Sequence, residues 1–222
     1  MKNSKSPIHL ITTKDGSHTI WNEELDETYH SRHGALQESL HVFIEMGLVP
    51  LLSHKNEIRV FEMGFGTGLN AWLTFHRLKE TKIILRYNGI EAFPLDQQIT
   101  HSLNYADQDR DLFHKLHNVP WGQFNEISPN QWLLKRKVKI EEMDENQSFD
   151  LIYYDAFGPN TQPDLWSAEV LNKCVRMMNP GAVFVTYCSK GQVRRDLRDA
   201  GLEMEKLPGP PGKREMLRGI KL

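Results

Sequence analysis

Three glycines in alternation, Gly64, Gly66 and Gly68, stand in Val60-Phe61-Glu62-Met63-Gly64-Phe65-Gly66-Thr67-Gly68-Leu69, where an apolar strand pattern gives way to the start of a helix. Glycine lets a backbone turn tightly and approach a ligand closely, and it leaves the N–H groups of the following helix start pointing at what is bound. The spacing narrows the ligand. G-x-G-x-G is not the G-x-G-x-x-G of a dinucleotide site, and the G-K-[ST] of a phosphate loop is missing. Two acids close later strand patterns. Glu91 ends Asn88-Gly89-Ile90-Glu91, and Asp155 ends the run from Phe149 and precedes Ala156-Phe157-Gly158-Pro159-Asn160. Ligands of open parallel sheets sit at the carboxyl ends of strands, so Asp155 is expected beside the glycine-loop strand. Taken singly, Glu91 reads equally as a solvated strand-end acid and Asp155 as the start of a turn.

These residues need a sheet to hold them. From Ile58 onward strands alternate with helices, the pattern of an α/β domain with a mainly parallel sheet. Strands are expected at Ile58 to Met63, Ile83 to Glu91, Phe149 to Asp155 and Ala182 to Tyr187. Helices are expected at Leu69 to Leu78, Pro94 to Asn104 and Ser167 to Met178, the last broken by Asn179-Pro180-Gly181. Ser189 with Gln192 three residues on has the form of a capping box, opening a helix that stops at Gly201. Between Trp121 and Glu142 a hairpin insertion is expected to end in a core strand near Val138 to Ile140. Two extended segments flanking Pro208-Gly209-Pro210-Pro211-Gly212 suggest a terminal antiparallel pair at a sheet edge.

The first 50 residues differ. Ile8 to Trp21 alternates apolar and polar residues around Asp15-Gly16, a hairpin signal, and Leu36, Leu40 and Phe43 then share one helical face that Gly47 is placed to stop. Residues 1–50 are therefore expected to be an extension packed on a core of residues 51–222.

Composition sets the limits. A chain of 222 residues with 39% hydrophobic and 25% charged residues suits one folded, soluble domain rather than a disordered or fibrous chain. Its 27 basic and 29 acidic residues leave a net charge of −2, which excludes coating nucleic acid by bulk positive charge but leaves local basic contacts open. Cys174 and Cys188 form no C-x-x-C pair and read as reduced, buried thiols; no metal-ligand pattern appears. Neither a signal-peptide run nor a bilayer-length stretch is present, and cytoplasm is the expected compartment.

With Glu62 two residues ahead of it, the glycine loop resembles the cofactor loop of S-adenosylmethionine-dependent methyltransferases of the Rossmann-like class. That resemblance implies a mainly parallel seven-stranded α/β sheet with an antiparallel last strand. It assigns Glu62, Gly64, Phe65, Gly66, Thr67, Gly68 and Asn70 to cofactor binding, and Glu91 to the two ribose hydroxyls, which an acceptor-only carboxylate suits. Further blocks carry a narrower resemblance. These are Asp15-Gly16-Ser17 with Tyr29-His30-Ser31 and Gly34 to Ser39, then Glu91-Ala92-Phe93-Pro94-Leu95, Asp155 to Pro159 through Pro163-Asp164-Leu165-Trp166, and Gly212-Lys213-Arg214-Glu215-Met216. Jointly they resemble the tRNA 5-methylaminomethyl-2-thiouridine methyltransferases, the methyltransferase half of MnmC and its single-domain relatives called MnmD.

This second resemblance implies methyl transfer from S-adenosylmethionine to the aminomethyl group of a tRNA wobble uridine. Because the chain ends at Leu222, the flavin domain of bifunctional members is expected to be absent. An alkylamine is largely protonated at neutral pH. The resemblance assigns Asp155 to orient the amine and take or relay its proton, and Phe157 to contact the cation or the uracil face. Asp144, in Glu142-Met143-Asp144, is the candidate acceptor for the adenine amino group. Tyr29, His33 and Gln37 are candidates to close the pocket, and Lys213 and Arg214 are preferred for phosphate over Lys135-Arg136-Lys137, Arg194-Arg195 with Arg198, and Arg218. The alternative reading keeps the cofactor and changes the acceptor to another RNA, a protein or a small molecule.

Overall fold

Antiparallel pairing of Ile8–Thr12 (β1) with His18–Asn22 (β2) forms the hairpin expected around Asp15-Gly16, and Glu27–Thr28 (β3) adds a third short strand. Gly16 supplies the left-handed turn, at φ 84°. The Asp15 carboxylate then accepts from the Ser17 N–H and, across the extension, from the Gln37 N–H, each at 3.0 Å. The structure is a computed structural model and describes residues 8–106 and 109–222. Residues 1–7 of the expected extension lie outside the described residues.

A helix follows from Ala35–Ser39 (α1) and widens into a π-helical stretch over Leu40–Leu48. Gly47 does not stop it. A Cβ there would stand 2.9 Å from Val185 and 3.3 Å from the Tyr153 ring, so this glycine lets the helix lie directly on the sheet. The shift in winding also leaves Leu40 37% exposed, off the face that Phe43 and Ile44 bury.

The central sheet is built from Glu57–Met63 (β4), Ile84–Ile90 (β5), Phe124–Ser128 (β6), Gln131–Arg136 (β7), Phe149–Tyr154 (β8), Met178–Thr186 (β9), Leu202–Pro208 (β10) and Glu215–Lys221 (β11). Its order is β10-β11-β9-β8-β4-β5-β7-β6. β7, β5, β4, β8 and β9 run parallel, while β11 lies antiparallel between β9 and β10. Seven of these strands form the expected sheet with its antiparallel last strand, and β6 extends it as an eighth through a hairpin to β7.

Leu69–Leu78 (α2), Gln97–His101 (α3), Arg110–Asn118 (α4), Ala168–Arg176 (α5) and Gly191–Asp199 (α6) cover the sheet. Alternate residues of the buried strands feed opposite faces. Leu151 and Tyr153 pack with Phe43, Leu73 and Phe75 on one side; Ile152 and Tyr154 pack with Trp166 and Leu171 on the other.

Several expectations shift in register. The core strand after the hairpin is β7, residues 131–136, because Asn130 takes the turn at φ 65°; Val138 to Ile140 instead leads into a 3₁₀ turn that buries Ile140. The helix expected over Pro94 to Asn104 contracts to α3. Asn179-Pro180-Gly181 bulges within β9 rather than preceding it, with Gly181 at φ 75° and the register to β8 shifting across it. Lys190, not Ser189, precedes α6, and no side chain caps that end.

Among the described residues no helix is long and apolar enough to cross a membrane, and no group of three or more His, Cys, Asp or Glu side chains could hold a metal ion. Cys174 and Cys188 are free and buried, and burial pushes the Cys174 thiol up to about 12.

Candidate active site

At the end of β4 the chain turns through the glycine loop under tight constraint. The Gly64 and Phe65 N–H groups both donate to the Ile90 carbonyl, at 3.2 and 2.9 Å, so the loop is fastened to the end of β5. Gly64, Gly66 and Gly68 have φ of 88°, 46° and 73°, a region where other L residues are strained. Each is also crowded. A Cβ on Gly64 would meet the Asp155 carbonyl oxygen at 2.8 Å, one on Gly66 the Tyr29 ring at 3.2 Å, and one on Gly68 the His117 Nε2 at 2.8 Å.

Glu91 faces this loop. One carboxylate oxygen accepts from the Gly66 N–H at 3.0 Å, the other from the Phe93 N–H at 3.0 Å, and lone pairs remain on both for a ligand. Thr67 turns inward: its hydroxyl meets His30 Nε2 at 2.8 Å and its carbonyl accepts from His117 Nε2 at 3.1 Å. Burial holds both imidazoles below their ordinary range, His30 at about 4 and His117 at about 3. The Phe65 ring packs edge-on to His117 and Trp121 beneath the loop.

A second constellation lies where β4, β8 and the start of α2 converge. Glu62 is wholly buried. The Asn70 side-chain nitrogen, on the first turn of α2, donates to Glu62 Oε1 at 3.0 Å and to Asp155 Oδ2 at 2.7 Å. Burial, reinforced by the neighbouring Asp155, pushes the Glu62 carboxyl well above the usual carboxylate range. Asp155 is half-buried. Burial and then the nearby Glu38 raise it to about 7, against the Asn70 hydrogen bond and Lys213, which lower it. A carboxylate titrating there can accept a proton at neutral pH.

Beyond Asp155 a cleft of about 1470 Å³ opens between the glycine loop, the segment after β5, the loop after β8 and the N-terminal extension. Aromatic rings form its far wall. Tyr29 and Phe157 meet edge-on with centroids 4.9 Å apart. Trp166 Nε1 donates to the Phe157 carbonyl at 2.7 Å and the Tyr187 hydroxyl to the Ala156 carbonyl at 2.8 Å, which fixes the loop after β8. Lys213 reaches in from the β10–β11 loop. Its Nζ sits 3.9 Å from the Tyr187 ring centroid and donates to Glu38 Oε1 at 2.5 Å.

Not every expected residue arrives here. Asp144 is exposed and accepts from the backbone and side-chain nitrogens of Asn146, at 2.9 and 2.8 Å, as a turn residue; Glu141, three positions earlier, is the acid that lines the cleft. His33 and Gln37 are exposed and do not line it, the His33 ring lying so close to Gly212 that a Cβ would stand 2.3 Å away. Arg214 faces solvent beside Lys213. Lys135 is ruled out as a phosphate contact: it is 1% exposed, donates to the His117 carbonyl at 2.7 Å and lies over the Trp121 ring. Glu38, Tyr187, His30 and His117 were not singled out by residue type. The Gly34 to Ser39 and Tyr29 to Ser31 blocks contain Glu38 and His30; nothing in the sequence marks His117.

A family model described as S-adenosyl-L-methionine-dependent methyltransferase matches residues 120–222. The bifunctional protein MnmC of tRNA 5-methylaminomethyl-2-thiouridine biosynthesis from Pseudoalteromonas atlantica is 30% identical over 219 residues, covering 88% of this chain and 31% of the relative. Its counterpart in Pseudomonas paraeruginosa is 31% identical, with 87% and 32% covered. The chain thus spans about a third of the length of these curated relatives. Among solved structures, MNMC2 from Aquifex aeolicus superposes with a TM-score of 0.83 at 24% identity, covering 98% of this chain and 72% of that one. Spermidine synthase from Thermotoga maritima superposes at 0.57 and 12% identity, covering 99% and 80%, a likeness of fold.

Proposed function

We propose that the chain is an S-adenosyl-L-methionine-dependent methyltransferase, like the family whose model matches residues 120–222, and that it methylates the amino group of 5-aminomethyl-(2-thio)uridine at the tRNA wobble position. The observation that carries this reading is Asp155. It stands at the cleft wall within hydrogen-bonding distance of an Asn70 fixed on the glycine-loop helix, and it titrates near neutrality, as a group that relieves an ammonium of its proton must. The names of the MnmC relatives supply the acceptor.

The residues fit the cofactor. The left-handed glycine loop, packed against Asp155, Tyr29 and His117, borders the cleft with backbone at Gly64 and Gly66, and Glu91 keeps acceptor capacity for a diol. Gly64 to Gly68 and Glu91 would hold S-adenosylmethionine, with the Val138 to Glu141 segment in place of Asp144 beside the adenine. When bound, the cofactor supplies a methyl group activated by a sulfonium.

The chain's own residues prepare the acceptor. Asp155 orients the amine and takes its proton, while Tyr29 and Phe157 offer ring faces to the uracil or the cation. Positioning contributes most of the acceleration, because the leaving group is already activated. In its described residues, 8–50, the extension closes the acceptor end of the core that follows, and Lys213 and Arg214, on the β10–β11 loop, are the basic residues assigned here to the anticodon phosphates. A tRNA acceptor places the reaction in the cytoplasm.

The test is incubation with labelled cofactor and tRNA carrying an unmodified, aminomethyl or carboxymethylaminomethyl wobble uridine. Label is expected on the aminomethyl tRNA. Transfer to a metabolite pool but not to that tRNA would favour the small-molecule alternative.

A further inference from the structure

The acceptor end of the cleft holds a buried ion pair that proton removal does not require. Glu38 is 5% exposed, at a position where a carboxylate is costly unless paired. Both of its oxygens are engaged, Oε1 by Lys213 Nζ at 2.5 Å and Oε2 by the Ser31 N–H at 2.8 Å. Lys213 is held in turn over the Tyr187 ring, whose hydroxyl is bonded to the residue following Asp155. The pair therefore joins the N-terminal extension to the β10–β11 loop across the same wall that carries Asp155, close enough for the Glu38 charge to raise that carboxyl. Glu27 also lines this end, accepting from Thr161 Oγ1 at 3.2 Å.

We infer that Glu38 and Lys213 act together as a specificity filter, admitting an acceptor that ends in an amine and rejecting one whose amine bears a carboxylate. The inference rests on the amine-acceptor reading above. Of the basic side chains lining the cleft, Arg32, Lys139 and Lys213, Lys213 stands on the wall that carries Asp155, and Glu38 already engages it. An anionic group entering the pocket would have to displace a buried, fully hydrogen-bonded carboxylate and face the charges of Glu38, Asp155 and Glu27. An amine meets a field of the favourable sign. Discrimination of this kind comes from like charge set against the wrong ligand as much as from contacts to the right one.

The experiment compares two anticodon stem-loops that share every phosphate contact, one carrying 5-aminomethyluridine as substrate and one carrying 5-carboxymethylaminomethyluridine as competitive inhibitor. The ratio of the inhibitor's Ki to the substrate's KM is the readout. In E38Q the repulsion is removed and Lys213 is freed, so the ratio should fall by about tenfold or more. In K213M the attractive cation is lost while Glu38 remains, so it should rise. A merely structural pair would weaken both stem-loops alike. A ratio unchanged in both variants, or moving the same way in both, overturns the filter; if E38Q does not fold, the direction in K213M decides alone. Failure of the wild-type chain to methylate the aminomethyl stem-loop overturns the acceptor assignment itself, and the filter with it.

Discussion

Asn70 donates to Asp155 at 2.7 Å, so the carboxylate at the cleft wall is oriented by the helix that the glycine loop begins. The same amide nitrogen reaches Glu62 at 3.0 Å. The end of β4 and the cleft wall after β8 thus share one side chain.

The first prediction concerns Asp155→Asn. The variant keeps the shape and loses the base, so turnover should fall by roughly 10²–10⁴-fold, while cofactor affinity by calorimetry changes little. In the wild type, kcat/KM should rise with pH through about 7 as Asp155 ionises. Stability moves the other way. Because burial raises the folded-state pKa above the unfolded value, the stability this carboxyl contributes is present at low pH and is lost as pH climbs to about 7. D155N should therefore be more stable than the wild type above pH 7, by roughly 1–3 kcal/mol after allowing for partial exposure, in urea unfolding. Undiminished turnover would remove Asp155 from the mechanism.

A second prediction follows from Gly64, whose added Cβ would stand 2.8 Å from the Asp155 carbonyl at a φ of 88°. Backbone on both sides cannot yield as a flexible side chain could. Gly64→Ala should cost about 2–4 kcal/mol of stability and weaken the cofactor at least tenfold. Gly122→Ala serves as the comparison, since its φ is 84° but nothing lies within 4 Å of the added methyl. It should cost only the backbone strain, about 1–2 kcal/mol, with cofactor affinity kept. Equal effects on the cofactor in the two variants would count against close approach at Gly64.

A third prediction separates the proposed cofactor end of the cleft from its acceptor end through Glu91. Its two oxygens hold the Gly66 and Phe93 N–H groups, which ties it to the glycine loop. Glu91→Ala should raise the cofactor Kd about 10- to 100-fold, the loss of one or two charge-assisted hydrogen bonds, with a smaller change in acceptor KM at saturating cofactor. The reverse pattern would place Glu91 on the acceptor side.

Most of the sheet was legible because its strands are buried on both faces and read as apolar runs, as in Val60 to Met63 and Phe149 to Tyr154. The glycine loop was legible because φ above zero and close approach leave glycine almost no substitute. What stayed hidden depends on long-range contact. Gly47 looks like a helix stop and is instead the seat of a helix on β8 and β9, a distinction set by Tyr153 and Val185 far along the chain. Asp144 and Glu141 are acids three positions apart, and only the 3₁₀ turn at Ile140 decides which one reaches the cleft. Lys135 looks basic and exposed beside Arg136 and Lys137, yet the β7 register turns it inward under the loop.

The last prediction tests that hidden support beneath the loop. The Thr67 carbonyl only accepts, so His117 Nε2 carries a proton, and with its pKa held low by burial the imidazole is neutral at neutral pH. Burial, with Lys135 adding to it, depresses its pKa to about 3, below the ordinary value of an unfolded histidine. Between those two values the unfolded chain binds the additional proton. The stability His117 contributes is therefore complete above the unfolded pKa and is lost as pH falls towards 3, by up to about 1.4 kcal/mol per pH unit. His117→Gln retains an N–H for Thr67 and cannot titrate. Its unfolding free energy, from urea titrations between pH 6 and pH 4, should fall less steeply than that of the wild type by nearly that slope, and His30→Gln should flatten the profile in the same sense. Parallel profiles for H117Q and the wild type would mean that the His117 imidazole accepts its proton in the folded state and does not hold the loop as a neutral donor.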